Sequence, residues 1–332
     1  MQEEHLFAPF IRILGKGKNG SRSLTEAEAF ESMSMIVKGE VEPEQLGAFL
    51  MLLRVKEETA EEVAGFVRAI RANLNLPAGV HVDLDWSSYA GKRRHSPWYI
   101  LSALLLAENG YKVCMHGAEG HTPGRMYTSE ALAALGINMS HSLKEAEAAL
   151  NESNFAYMPL QAMSDILKDI LELRPLLGLR SPLHTVGRMI NPFSSDYSIQ
   201  AIFHPGYQTV HQQASQILDQ KHMAVFKGEA GEVERNPDTK CLVSYVHNKV
   251  MSEEELPAMF ERRHVKEKEL DADNLISVWN GSAENEYAEA AVIGTTAIAL
   301  RLMGKVDSPD AGLKLAEEMW NKRNSQRFDT AA

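Results

Sequence analysis

Residues 80–110 read VHVDLDWSSYAGKRRHSPWYILSALLLAENG, and this stretch decides the fold. Val80 to Trp86 alternates apolar and polar residues, the period of a strand with one face buried. Ser87 to Ser96 is a polar loop holding Gly91 and three consecutive cations, Lys92, Arg93 and Arg94. Ser96-Pro97 then supplies a cap and a first helical residue, and an apolar run through Leu104 to Leu106 stops at Gly110. Strand, loop and helix in this order are the first unit of a parallel sheet with helices on its faces. In such a sheet the loop after a strand faces ligands, and the free N–H groups of the next helix favour an anion. Three cations there point to phosphate. Tyr89 and Trp98 flank them as rings able to stack on a base, with Trp98 equally readable as core.

Downstream, the same rhythm continues. Lys112 to His116, Phe155 to Met158, Ile199 to Phe203, Met223 to Phe226 and Cys241 to Val246 read as strands. Helices are predicted after Ser129 and Ser142, over Glu284 to Met303, and from Ser308-Pro309 to Lys322. Glu253 to Asp273 reads as a solvated, charged surface segment. Upstream, the chain is helical. Thr25 with Glu28 and Thr59 with Glu62 form capping boxes, and Pro43 opens a helix carrying Leu46, Phe49, Leu50, Leu52 and Leu53. Pro77-Ala78-Gly79 breaks that pattern. The expected architecture is α/β: a small helical domain at 1–78, joined by helices from about 160–190, and a larger domain at 79–332 with a mainly parallel sheet.

The composition sets limits. The chain has 332 residues, 44% hydrophobic and 24% charged, an ordinary globular balance rather than a disordered one. Its net charge of −11 excludes a surface uniformly coated in cations but not a local basic groove. Two cysteines, Cys114 and Cys241, make no disulfide framework, which fits a reducing, cytoplasmic setting. The apolar run at Trp98 to Ala107 is about half the length needed to span a bilayer, so no membrane association is expected. Cys114, within an apolar strand, reads as buried filler. His116, Glu119 and His121 are the closest approach to a metal-ligand grouping, but they lack a zinc spacing, and no metal is expected.

The charge is unevenly spread. His5 to Thr25 contains no acid and carries Arg12, Lys16, Lys18 and Arg22. Trp86 to Ala107 contains no acid and carries Lys92, Arg93 and Arg94. A third acid-free window, Leu173 to Ser195, carries Arg174, Arg180 and Arg188 with His184. Three such windows predict a basic surface assembled by folding.

Particular motifs resemble the anthranilate phosphoribosyltransferase family over nearly the whole chain. Arg174 to Pro192, RPLLGLRSPLHTVGRMINP, is similar to that family's arginine, LGxRT stretch, glycine and closing Asn-Pro. His116-Gly117, followed by Glu130 to Gly136, resembles its HGN stretch and nearby EALG helix. The resemblance implies the helical-plus-α/β fold. It also exposes departures. Where the family has a GTGGDG loop for phosphoribosyl pyrophosphate, this chain has Ser88-Tyr-Ala-Gly-Lys-Arg93; where it has Lys-His-Gly-Asn-Arg, this chain has Met115-His-Gly-Ala-Glu119. The family's serine-rich phosphate contact is replaced by Gly120 to Arg125, and of its Mg²⁺-binding Asp-Glu pair only Glu234 remains, after Val233. Arg174 matches an arginine the family places on the anthranilate carboxylate.

A branch of this superfamily regarded as nucleic-acid-binding is also similar, through Gly15 to Arg22, Lys227 to Glu234, and Asn236-Pro237. That resemblance implies a homodimer paired through the helical domains, with basic grooves running across it. The expectation is therefore a binding protein that holds DNA or RNA phosphates with Lys16, Lys18, Arg22, Lys92, Arg93 and Arg94, without catalytic residues or cofactor. His116, Gly117, Arg174 and Glu234 are expected to line the remains of a substrate cleft. The alternative is a phosphoribosyltransferase using phosphoribosyl pyrophosphate and Mg²⁺ on an aromatic acid or base. A third possibility is phosphorolysis of a nucleoside.

Overall fold

The computed structural model describes residues 3–74 and 79–328. Four helices come first: α1 (Ala8–Gly15), α2 (Glu26–Val37), α3 (Pro43–Lys56) and α4 (Ala60–Asn73). Both predicted capping boxes form, with the Thr25 and Thr59 hydroxyls accepting from the Glu28 and Glu62 amides. Glu62 is fully buried, and its carboxylate also takes the Leu24 amide at 2.8 Å and the Lys56 ammonium at 2.7 Å. The predicted break at Pro77-Ala78 lies outside the described residues.

The α/β part continues with β1 (Leu84–Ser88), α5 (Tyr99–Glu108), β2 (Val113–Gly117), α6 (Thr128–Ala134), α7 (Leu143–Ser153) and β3 (Phe155–Pro159). Then follow α8 (Leu160–Met163), α9 (Asp165–Glu172), α10 (Arg174–Leu177), α11 (Leu183–Val186), β4 (Tyr197–Ile202), α12 (Tyr207–Ile217) and β5 (His222–Lys227). Last come β6 (Cys241–His247), β7 (Val250–Leu256), α13 (Asp273–Asn280), α14 (Glu286–Leu302) and α15 (Pro309–Lys322).

The seven strands form one sheet in the order β3-β2-β1-β4-β5-β6-β7. The first five are parallel; β6 and β7 are antiparallel. The chain lays β2 and β3 to one side of β1, then returns to place β4 on its other side. Loops leaving β1 and β4 therefore diverge and open a crevice at the carboxyl ends of these strands, where ligands of open α/β sheets bind. The loop singled out in the sequence lies at this crevice.

One apolar core lies between the sheet and α5, α6, α13, α14 and α15. A second collects α1 to α4 with residues of α8, α9, α11 and α12 and the segment 186–190. The Leu46, Phe49 and Leu53 stripe of α3 is covered within the chain. Phe49 and Leu53 are buried in this second core, Leu46 packs against it, and Phe49 meets Phe7 edge-on at 5.1 Å.

Three elements differ from the sequence reading. The segment expected to be solvated from Glu253 onward begins inside β7, an edge strand whose Glu253 and Glu255 face water, whose Glu254 is half-buried beside Arg301, and whose Leu256 alone is fully buried. Such charge blunts an edge against further pairing, and it also hides the strand's alternation. α1 has no counterpart among the expected helices, because it offers only eight residues around Phe10 and Leu14. The helix expected from Ser96-Pro97 begins at Tyr99, because the Ser96 amide and hydroxyl both bond the Glu267 carboxylate, at 2.9 and 2.6 Å.

Candidate functional site

Two acidic residues enter the crevice from the loop after β5. Glu232 is fully buried, and its Oε1 accepts hydrogen bonds from the backbone N–H groups of Ala90 and Gly91, both at 2.6 Å. Burial, larger than the effect of these donors, raises its carboxyl above the ordinary range. Glu234 is also buried: Oε1 pairs with the Lys92 ammonium and Oε2 accepts the Tyr99 amide at 2.9 Å, at the start of α5. Burial pushes the Glu234 carboxyl up to about 7 against the opposing pull of Lys92. The anion predicted for this loop and helix end is thus supplied by the chain itself.

The carbonyl side of the loop is held as well. Arg125 Nη1 donates to the carbonyl oxygens of Ala90 and Gly91 at 2.8 and 2.9 Å, and to that of Ala230 at 3.4 Å. Ala230 takes a left-handed conformation, φ 58° and ψ 7°. At Gly228 a β-carbon would overlap the Glu232 carbonyl oxygen, so this tight turn accepts only glycine there. Together these features fix the Glu232 side chain over the loop amides.

Several predicted site residues are placed differently from their expectation. Lys92 is fully buried in its pair with Glu234 and is no part of an exposed phosphate groove. Tyr89 and Trp98 are also buried, so neither ring is open to a base. Tyr89 Oη instead lies 2.9 Å from His116 Nδ1. Arg93 and Arg94 are exposed, as are Lys16, Lys18 and Arg22. Arg22 is engaged by the Glu28 carboxylate at 2.6 Å, which drives that carboxyl down to about 2. Lys16, Lys18, Arg93 and Arg94 have no ion pair among the described residues.

The expected cleft residues do come together around the strand ends, with new roles. Buried His116 has its Nε2 at 3.2 Å from Asp85 Oδ1, a contact without hydrogen-bond geometry. Gly117 lies so close to the Ser88 carbonyl that a β-carbon would overlap it. Arg174 donates to the His121 carbonyl at 2.8 Å and to the Thr122 hydroxyl, and Arg180 shares that hydroxyl at 3.2 Å. Burial, only partly offset by the Tyr89 carbonyl, leaves His121 neutral, with its pKa lowered to about 4. Cys114 is buried, its thiol pushed well up by desolvation.

Mg²⁺ does not fit this site. Glu234 is committed to Lys92 and the Tyr99 amide, Val233 offers no ligand atom, and an ammonium stands where a cation would have to sit. No group of three or more His, Cys, Asp or Glu side chains suited to a metal occurs among the described residues.

Comparison with known proteins fits this architecture. Residues 8–74 match the helical bundle domain of the glycosyl transferase family, and residues 99–324 match the family's a/b domain. The chain belongs to this glycosyl transferase family. Among its relatives is anthranilate phosphoribosyltransferase of Methylocella silvestris, 31% identical over 221 residues, which are 66% of this chain and 62% of that protein. The chain thus spans less than two thirds of that relative's length. Another is the uncharacterized protein YbiB of Escherichia coli K12, 30% identical over 70% of this chain and 73% of the relative. Among solved structures, anthranilate phosphoribosyltransferase of Thermus thermophilus superposes with a TM-score of 0.80 at 20% identity, covering 98% of this chain and 100% of that one. The Saccharomyces cerevisiae enzyme in complex with PRPP and Mg gives 0.80 at 17% identity, over 98% and 96%. At these identities the structural likeness speaks for the fold alone. The fold is that of the anthranilate phosphoribosyltransferases.

Glu232 is the functional feature that sequence reasoning missed. Its stretch, Lys227 to Glu234, stood out by resemblance, but nothing in the order of residues ties it to amides 141 and 142 positions earlier.

Proposed function

We propose that this member of the glycosyl transferase family binds nucleic-acid phosphates, with little sequence preference, and does not transfer a phosphoribosyl group. The observation that carries the second half is Glu232 on the Ala90 and Gly91 amides. A diphosphate needs such donors to neutralise it as it leaves, and here they already hold a buried carboxylate. The first half is supported by the exposed cations Lys16, Lys18, Arg93 and Arg94, unpaired among the described residues. Lys92 is left out, and Arg22 contributes only by leaving Glu28. A homodimer belongs to the same proposal, supported by the exposed Phe30, Val55 and Leu176 on the helical elements; sedimentation at micromolar concentration tests it.

Fluorescence anisotropy with single- and double-stranded oligonucleotides at two ionic strengths is the test. Affinity is expected to fall steeply with salt. Changing Lys16, Lys18, Arg93 and Arg94 together to alanine is expected to flatten the log–log slope by about 0.7 to 0.9 for each phosphate no longer neutralised. Absence of binding to either strand form at low salt contradicts the proposal.

The relatives that are anthranilate phosphoribosyltransferases favour a second reading, phosphoribosyl transfer to an aromatic acid or base. It requires Glu232 and the Lys92–Glu234 pair to leave the loop when phosphoribosyl pyrophosphate arrives. Mg²⁺-dependent binding of that compound separates the two.

A further inference from the structure

A second cation-rich place in the crevice has fewer internal anions than cations. A cleft of about 120 Å³ lies between α3, α11 and the loop after β4, lined by Arg54, Arg180, Arg188, Ser181, His184 and Glu58. Arg188 is 8% exposed, lies 5.8 Å from the Tyr89 ring centre and donates to the His184 carbonyl, yet has no ion pair among the described residues. Arg180 donates only to the Thr122 hydroxyl and is likewise without an ion pair there. Glu232 acts on Arg188 through space but forms no ion pair with it; burying a guanidinium without a direct counter-charge costs several kcal/mol, so these cations lining a cleft call for an anion.

Three further groups are unsatisfied there. The Ser181 hydroxyl, His184 Nε2 and the Tyr207 hydroxyl are buried and lack a partner. His184 Nδ1 faces the Ser181 carbonyl at 3.1 Å, and a carbonyl can only accept. The proton is therefore on Nδ1, and Nε2 is a free acceptor. Burial and nearby cations hold His184 neutral. The cleft thus offers guanidinium donors, the free Ser181 and Tyr207 hydroxyls and one acceptor, with three cations among its lining side chains against the single Glu58 carboxylate.

We infer that this cleft is a binding site for a phosphate monoester. Such a group carries about −1.5 to −2 charge at pH 7, which balances the excess of two positive charges. Its oxygens accept from Arg180, Arg188 and Ser181, and its one proton, when present, meets His184 Nε2. A carboxylate has one charge and no proton to give at neutral pH. Phe203, half exposed, stands at the same cleft and offers a ring face to an aromatic or base attached to the phosphate. The same chemistry occurs on a free small phosphate ester and on the terminal phosphate of a strand. The site does not depend on the exposed cations of the nucleic-acid proposal.

Calorimetric titration of the full chain tests this, with phenyl phosphate, benzoate, and a short single strand with and without a 5′-phosphate. Phenyl phosphate is expected to bind and benzoate to bind at least tenfold more weakly. Arg180→Gln, at a half-buried position, is expected to weaken phenyl phosphate about tenfold or more, the worth of a hydrogen bond to a charged group. A melting curve confirms its fold, and Ser181→Ala gives a second, milder loss. Preference for the 5′-phosphorylated strand, lost in Arg180→Gln, identifies the strand end as the source; binding of phenyl phosphate without that preference identifies a free ester. Replacing Lys16, Lys18, Arg93 and Arg94 by alanine is expected to leave phenyl phosphate binding unchanged, so this inference stands or falls apart from the nucleic-acid reading. No binding of any phosphate probe, equal binding of benzoate, or a folded Arg180→Gln that binds like the parent overturns it.

Discussion

Lys92 and Arg188 are both buried cations near the carboxyl ends of parallel strands, and they differ in what answers their charge. Lys92 meets Glu234, and the amides of Ala90 and Gly91 meet Glu232, so the buried cation and the inward-facing amides of the β1–α5 loop are satisfied within the chain. Arg188 and its neighbour Arg180 hydrogen-bond only a carbonyl and a hydroxyl, and Glu232 acts on Arg188 without a direct pair. A crevice of one fold thus contains a closed anion site and an open one. A basic stretch therefore marks a ligand site only where folding leaves its charge unanswered.

The largest expected effect breaks the closed site. Glu234→Ala leaves the Lys92 ammonium buried and alone, and is expected to cost about 3 to 5 kcal/mol in urea unfolding. Lys92→Met combined with Glu234→Leu is expected to recover most of that loss, since an apolar pair replaces both charges. Equal stability of Glu234→Ala and the parent would mean the pair is not formed.

Acid titration sharpens the contrast next. His211 is buried and bonded to Gln200 at 2.7 Å, and burial lowers its pKa to about 3. The unfolded chain takes up this proton near 6.5 and the folded chain does not, so His211 contributes stability above pH 6.5 that is lost as pH falls towards 3. Glu234, with its raised carboxyl, works oppositely between about 4.5 and 7. His211→Gln is therefore expected to remove about 1.4 kcal/mol per pH unit from the acid-side slope, measured by urea midpoints between about pH 7 and 5. An unchanged slope contradicts a buried neutral His211.

The smallest effect concerns the turn that carries Glu232. Ala230→Gly relieves a left-handed alanine and is expected to raise stability by about 0.5 kcal/mol. Thermal melting of this variant against the parent checks the gain.

Much of the fold was legible in the sequence. Five strands of the parallel run announce themselves as short apolar runs bounded by turn residues, for the sheet buries them on both faces, and the flanking helices by their caps and apolar spacing. β7 was hidden because its exposed acids mask the alternation. The site was legible only in kind. The Ser88 to Ser96 loop predicts an anion from local physics, but which anion depends on Glu232 and Glu234, far along the chain and marked by no spacing. Lys92, Arg93 and Arg94 look alike in sequence, yet folding buries the first and exposes the others. The open arginines were visible as an acid-free window, while the orphaned Ser181 and His184 atoms beside them emerge only from the folded arrangement.

Calorimetric titration of the full chain with phosphoribosyl pyrophosphate and Mg²⁺, followed through changes at Glu232, tests the closed site most directly. No metal-dependent heat is predicted for the parent chain, with Glu232→Ala gaining affinity for the diphosphate as the loop amides are freed. Micromolar, Mg²⁺-dependent binding by the parent, weakened rather than strengthened in Glu232→Ala, would contradict it.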